Sequence, residues 1–278
     1  MEYVKPQVVA EDLEELLFRD TLGSWEISLS GGDANLISNL KVACKTLHDT
    51  ELLPGATFSL WQTIGQPTEV RGYKFAPCCF GMEAGTEAGG GLCYLSSALY
   101  SAALLGDLEV TQRTAHTYVQ PYTQAGSDAQ IRWGGADLRF FNNTIYPIRI
   151  QAEVTGGFLK VKLLGTDEKD YTVKLQFKTE DYKEPAVKYV EYEEGNSEGY
   201  TDGQVLEEGS NGYTIKTYRS QYSKVSGSLL MEDYIGQTVY APRDKVVVKL
   251  LPKPTEELGP TETEPTETEP TETTEADN

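Results

Sequence analysis

Gly89-Gly90-Gly91-Leu92-Cys93-Tyr94-Leu95-Ser96-Ser97-Ala98-Leu99-Tyr100-Ser101-Ala102-Ala103-Leu104-Leu105-Gly106 is the clearest element in the chain. Three glycines give way to an apolar run free of Gly and Pro, and Gly106 is placed to stop it, so the spacing predicts a helix over Leu92–Leu105. Its first turn carries Cys93. Unpaired amide N–H groups and the positive end of the helix dipole favour an anion there, so a stabilised thiolate is expected at Cys93. The glycines let backbone or substrate come close.

Working outward from this helix, the upstream chain alternates helix and short extended pieces. Gly65 to Gly91 reads as a glycine-punctuated loop, and Ala56–Trp61 as a short extended segment after the Pro54-Gly55 break. Asp33 is placed to cap a helix with Leu36, Ile37, Leu40, Ala43 and Leu47 on one stripe. Trp25–Ser30 alternates like a strand, and residues 8–20 read as a short amphipathic helix. Downstream, strands are expected at Leu108–Arg113, His116–Tyr122, Ala129–Trp133, Leu138–Phe141, Tyr146–Val154 and Phe158–Leu164. Helices first and strands afterwards argue for an α+β fold, with the Cys-bearing helix packed on a mostly antiparallel sheet.

A second composition starts near Asp167. Strands are expected at Tyr171–Lys178, Val187–Tyr192, Tyr213–Tyr222, Ser226–Tyr234 and Val246–Leu251, with a thin core between them. The resulting division is an N-terminal extension over 1–30, a main domain over 31–166, a β-rich appendage over 167–252 and a tail over 253–278. The tail repeats Pro-Thr-Glu-Thr-Glu from Pro260 and Pro265. With almost nothing to bury and self-repelling glutamates, it reads as extended and disordered, either a spacer of a kind suited to a bacterial surface or a solubilising tail.

Composition narrows the partners. The formal charge over 278 residues is −19, and nine acidic residues between Thr255 and Asn278 supply much of it. An acidic chain without a basic stripe argues against nucleic acid and against an anionic membrane surface. No apolar run is long enough to span a bilayer as a helix. Met1-Glu-Tyr-Val-Lys5 lacks the pattern of a secretory signal, which leaves either a cytoplasmic chain or one shown without its original N-terminus. Four cysteines (Cys44, Cys78, Cys79 and Cys93) and two histidines are too sparse for a disulfide scaffold or a structural zinc site. No cofactor is implied.

Four blocks, in order, resemble the VanW-like family (vancomycin B-type resistance protein W). They are Leu53-Pro-Gly-Ala-Thr-Phe-Ser-Leu60 with Gly65 and Arg71-Gly-Tyr-Lys-Phe-Ala-Pro77; Gly89 to Tyr100; Arg113-Thr-Ala-His116; and Gly126-Ser-Asp-Ala129 with Asp137-Leu138 and Asn142-Asn143. The resemblance covers roughly residues 35–165. Residues 205–250, with Gly212 to Arg219, also resemble the tail that follows this domain in many relatives. The sequence departs from the family at Tyr94, where the family usually has Gln, and at Ala98, where it usually has Thr. The resemblance implies cell-wall surroundings, with peptidoglycan or its peptide as partner, and no established reaction.

The residue order adds a chemical expectation. A cysteine on a helix start, then His116 and Asp128 on successive predicted strands, is the layout of transglutaminase-like and papain-like amide chemistry. Cys93 would be the nucleophile, His116 the base and Asp128 the group that orients the imidazole, with Asp137 as its substitute. Gly89, Gly90, Gly91, Tyr94, Ser96 and Arg113 are the accompanying binding candidates. The competing reading is a structural cluster, with Arg113 and Asp128 as an ion pair. Trp61, Trp133 and Tyr94 are candidates for a sugar- or peptide-binding groove, or for core. Function therefore divides between an enzyme acting on peptidoglycan stem peptides and a non-catalytic wall-binding or scaffolding module.

Overall fold

The computed structural model describes residues 16–80 and 83–252; the predicted helix over 8–20 falls largely outside that range, as does the tail over 253–278. Strand outweighs helix, 45% against 16%, so the fold is α+β but dominated by its sheets.

The main sheet is antiparallel in the order β1-β9-β8-β2, from β1 (Asp20–Ser28), β9 (Phe158–Gly165), β8 (Ile148–Thr155) and β2 (Thr50–Leu52). Its inner face follows from alternation: Ile148, Ile150 and Ala152 on β8 and Leu159, Val161 and Leu163 on β9 are all buried. Helices α1 (Ala34–Leu47) and α3 (Leu92–Leu105) share the core with that face. Asp33 caps α1 as expected, its carboxylate accepting from the backbone of Asn35 at 2.8 Å and Leu36 at 3.0 Å. The stripe of Leu36, Leu40, Ala43 and Leu47 is buried.

Helix α3 is apolar on nearly all sides, and Leu95, Ala98, Leu99, Ala102 and Ala103 are fully enclosed. Each such leucine stabilises the fold by roughly 2–5 kcal/mol relative to alanine. Its approach to β1 leaves no room for a side chain, since a Cβ at Gly23 would lie 2.1 Å from the Ala102 carbonyl oxygen.

A smaller sheet, β3-β7-β6, joins β3 (Thr57–Ser59), β7 (Arg139–Phe141) and β6 (Glu109–Gln112), and the short helix α2 (Leu60–Ile64) follows β3. The segment read as a loop from Gly65 to Gly91 contains a hairpin, β4 (Phe75–Phe80) with β5 (Glu83–Ala88). Two predicted strands are absent. His116–Tyr122 is irregular, and Ala129–Trp133 holds only an isolated bridge from Gln130 to Thr114. Their backbones turn to other partners: Ala129 N–H donates to the Ser97 hydroxyl, and Thr117 C=O accepts from Ala241.

The C-terminal strands form two further sheets. One is β10-β13-β14, from β10 (Tyr171–Lys183), β13 (Gly212–Ser223) and β14 (Leu229–Tyr240). The other is β11-β15-β12, from β11 (Val187–Glu193), β15 (Lys245–Leu251) and β12 (Val205–Glu207), in which β11 and β15 run parallel. Among the described residues no helix is long and apolar enough to cross a membrane.

Candidate functional site

The glycine run sets the position of Cys93. Gly91 caps α3 with φ +94, a conformation that suits glycine, and a Cβ there would strike Leu36 of α1. A Cβ on Gly90 would sit 2.0 Å from the Ala76 carbonyl oxygen, so the loop lies directly on the β4–β5 hairpin. Buried Asn39 ties these parts together. Its Nδ2 donates to the carbonyls of Lys74 at 2.9 Å and Gly90 at 3.0 Å, while its Oδ1 accepts from Lys74 N–H at 2.7 Å. Cys93 is half-buried in the first turn, its Sγ 3.8 Å from the Ile131 carbonyl oxygen.

Two serines one turn further on attach α3 to the neighbouring chain. Ser96 donates to the Cys93 and Ala129 carbonyls. The Ser97 hydroxyl donates to the Cys93 carbonyl at 2.7 Å and accepts from Ala129 N–H at 2.9 Å. This stitching holds Asp128 against the helix start.

Asp128 is 1% exposed and its carboxylate gathers four donors. Oδ2 lies 2.7 Å from His116 Nδ1 and accepts from His116 N–H, also at 2.7 Å. Oδ1 accepts from Arg113 at 2.9 Å and from the Tyr240 hydroxyl. Burial pushes this carboxyl upward, but the His116 bond and the Arg113 charge outweigh it and hold Asp128 below the usual carboxylate range. An ionised Asp128 assigns the proton to Nδ1 of His116 and leaves Nε2 as the ring's acceptor.

Cys93 and His116 line one cavity of about 330 Å³, although they lie on different segments. Its walls are aromatic. Trp61 meets Trp133 edge to face at 5.5 Å, and Tyr94 stacks on Tyr122 at 3.7 Å. Tyr122 also faces the His116 ring edge to face at 6.4 Å. Burial foremost, and then the adjacent Cys93, pushes the Tyr122 phenol well up, so it stays protonated. Trp133 is 45% exposed, at the rim rather than in the core.

The structure thus brings Cys93, His116, Tyr94, Gly89 and Gly91 together around the cavity, sets Asp128 behind His116, and places the other candidates differently. Asp137 does not stand in for Asp128. Its Oδ2 accepts from the Ser59 hydroxyl at 2.7 Å and Arg139 at 2.9 Å, and its Oδ1 from Trp61 N–H at 3.2 Å, so it anchors the start of α2. Ser96 is fully buried and Gly90 is pressed on the hairpin; neither lines the cavity. Arg113 lies behind Asp128, donating also to Thr238 at 2.8 Å and covering the Tyr100 ring.

Sequence reasoning missed four cavity or support residues: Tyr118, Tyr122, Tyr240 and Arg243. Tyr240 ends β14 and Arg243 lies in the connection between β14 and β15, and no local pattern marks them. Asn39 carried a readable signal, as an amide beside the apolar stripe of α1.

Comparison with known proteins places the chain by its sequence. Residues 35–164 match the family described as VanW like protein. The chain is 33% identical over 164 residues to the uncharacterized protein YoaR of Bacillus subtilis, a match covering 59% of this chain and 54% of that protein. It is also 33% identical over 115 residues to the vancomycin B-type resistance protein VanW of Enterococcus faecalis, covering 40% of this chain and 42% of that protein. The chain therefore spans about half the length of these curated relatives. A solved structure, HP0197-G5, is 18% identical and covers 29% of this chain and 99% of its own, with a TM-score of 0.15. The matched segment, residues 35–164, holds Cys93, His116 and Asp128 and is VanW-like in sequence.

Proposed function

We propose that the cavity carries out thiol-based acyl transfer on an amide of a cell-wall peptide, in the cell envelope. The observation that carries this reading is that Cys93 and His116 line one cavity while buried Asp128 fixes the imidazole from behind. Nε2 of His116 takes the thiol proton as the Cys93 sulfur attacks the amide carbonyl carbon. The C–N bond breaks, the leaving amine receives that proton, and a thioester remains on Cys93. Water or an acceptor amine then attacks the thioester, giving an acid or a new amide and restoring the thiol. The helix start favours negative charge at the sulfur.

The test is alkylation by iodoacetamide at neutral pH, read by mass spectrometry. Cys93 is expected to react faster than free cysteine, and His116→Ala to remove the excess. Cys44 is an internal control, because burial pushes its thiol up to about 12 and keeps it unreactive. If Cys93 reacts no faster than a free thiol, and Cys93→Ala leaves muropeptide profiles unchanged, the catalytic reading fails.

The aromatic walls favour a second reading, in which the cavity grips a glycan or peptide without reaction. Retention on purified peptidoglycan that survives both Cys93→Ala and His116→Ala, with unreactive Cys93, is its signature.

A further inference from the structure

Arg243 differs from five other arginines of the described residues. Arg19, Arg113, Arg139, Arg149 and Arg219 each pair with a carboxylate. Arg243 makes no ion pair among the described residues, in a chain with 43 acidic residues against 24 basic ones. Its acidic neighbour Asp244 is taken by Lys188 at 2.9 Å, and Glu208 by Lys245 at 3.4 Å.

Its guanidinium lies over the Tyr118 ring at 4.9 Å, and Arg243 is one of the residues lining the cavity that holds Cys93 and His116. The backbone beneath it is fixed by a two-way bridge with Ser210, 2.9 Å in each direction. A planar guanidinium over an aromatic face still has N–H groups to offer a bidentate acceptor, the geometry a carboxylate matches. The cavity is small, near the lower end of the roughly 300–1,000 Å³ usual for ligand sites, which suits a segment of about two residues. Glu87 lines it as well and opposes a ligand carrying more than one negative charge.

We infer that Arg243 binds the free C-terminal carboxylate of a peptide, so that the amide presented to Cys93 is one near the peptide's carboxyl end. This rests on the catalytic reading for its reaction and on Arg243 alone for its ligand. The segment 35–164 would then draw its substrate-end selectivity from the connection between β14 and β15.

The experiment uses the full chain carrying Cys93→Ala, so that nothing turns over, with tryptophan fluorescence from the Trp61–Trp133 wall as readout. Probes are N-acetylated alanine di- and tripeptides, in D and L forms, each as the free acid and as the C-terminal amide. At least one free acid is expected to bind about tenfold more tightly than its amide. Arg243→Gln should abolish that preference and Arg243→Lys keep part of it, with thermal melting unchanged in both.

Equal binding of acid and amide overturns the inference, as does a preference that survives Arg243→Gln. So does competition by inorganic phosphate as strong as by the peptides, or no binding by any acid up to about 10 mM. A carboxylate preference alongside an unreactive Cys93 upholds the inference about Arg243 and removes only the chemistry.

Discussion

Asp128 serves four donors with two oxygens, so its loss reaches beyond His116. Asp128→Asn places an amide N–H₂ against N–H and O–H groups that need an acceptor, and leaves half-buried Arg113 without its counter-charge. We expect a loss of about 3 kcal/mol or more in urea unfolding. The pH dependence has a definite direction. The folded carboxyl lies below its ordinary value, so the unfolded chain takes up this proton first as pH falls. The stabilisation is whole above about pH 5, shrinks as pH drops below the unfolded value near 3.9, and is gone once pH passes the folded value. Urea midpoints between pH 7 and pH 3 should therefore fall less in Asp128→Asn than in the parent; equal slopes would refute this assignment. At this scale Cys93, His116 and Asp128 were legible, because a thiol after three glycines and an imidazole–carboxylate pair carry their chemistry in their types. Ser96 and Arg113 were not, because a hydroxyl or guanidinium gives no sign of whether it faces a ligand or a buried carbonyl. Asp137 misled for the same reason: Ser59 and Trp61, which claim it, are distant in sequence.

The elements were legible where one face is buried against one partner. The alternation in β8 and β9 and the stripe of α1 reproduce the observed core. Elsewhere tertiary contacts overrode the local pattern. His116–Tyr122 reads as a strand, yet His116 and the consecutive residues Tyr118 to Tyr122 line the cavity, and the sheet lies elsewhere. The β4–β5 hairpin was hidden by Pro77 and Gly85, which read as loop. That hairpin and the start of α3 meet at Gly90, so Gly90→Ala drives a Cβ into the Ala76 carbonyl. The strands must part, and we expect a cost of about 3 kcal/mol. Gly85→Ala, where the added Cβ meets nothing within 4 Å, is the matched control and should cost less than about 1 kcal/mol in the same melt. Similar losses in both would mean that the hairpin, and not the contact, is being measured.

Across the whole molecule, the C-terminal sheets and the VanW-like segment share one hydrogen-bond network. Tyr240 donates to Asp128 and accepts from Gly126 N–H at 2.6 Å, and Thr238 accepts from Arg113. Tyr240→Phe keeps the ring and removes the hydroxyl. It should cost about 1–2 kcal/mol and slow alkylation of Cys93, since the orienting carboxylate loses one of its four donors. An unchanged alkylation rate with lowered stability would confine Tyr240 to a structural role.

The same hydroxyl sets a schedule for biosynthesis. Asp128 and Tyr240 are 112 positions apart, and a ribosome adding roughly 5–20 residues per second separates their synthesis by about ten seconds. Throughout that interval a nascent chain holds thiol, imidazole and carboxylate without the clamp that seats them, and without the arginine that lines their cavity. Whatever the cavity does, it becomes competent only after synthesis has passed Tyr240 and Arg243.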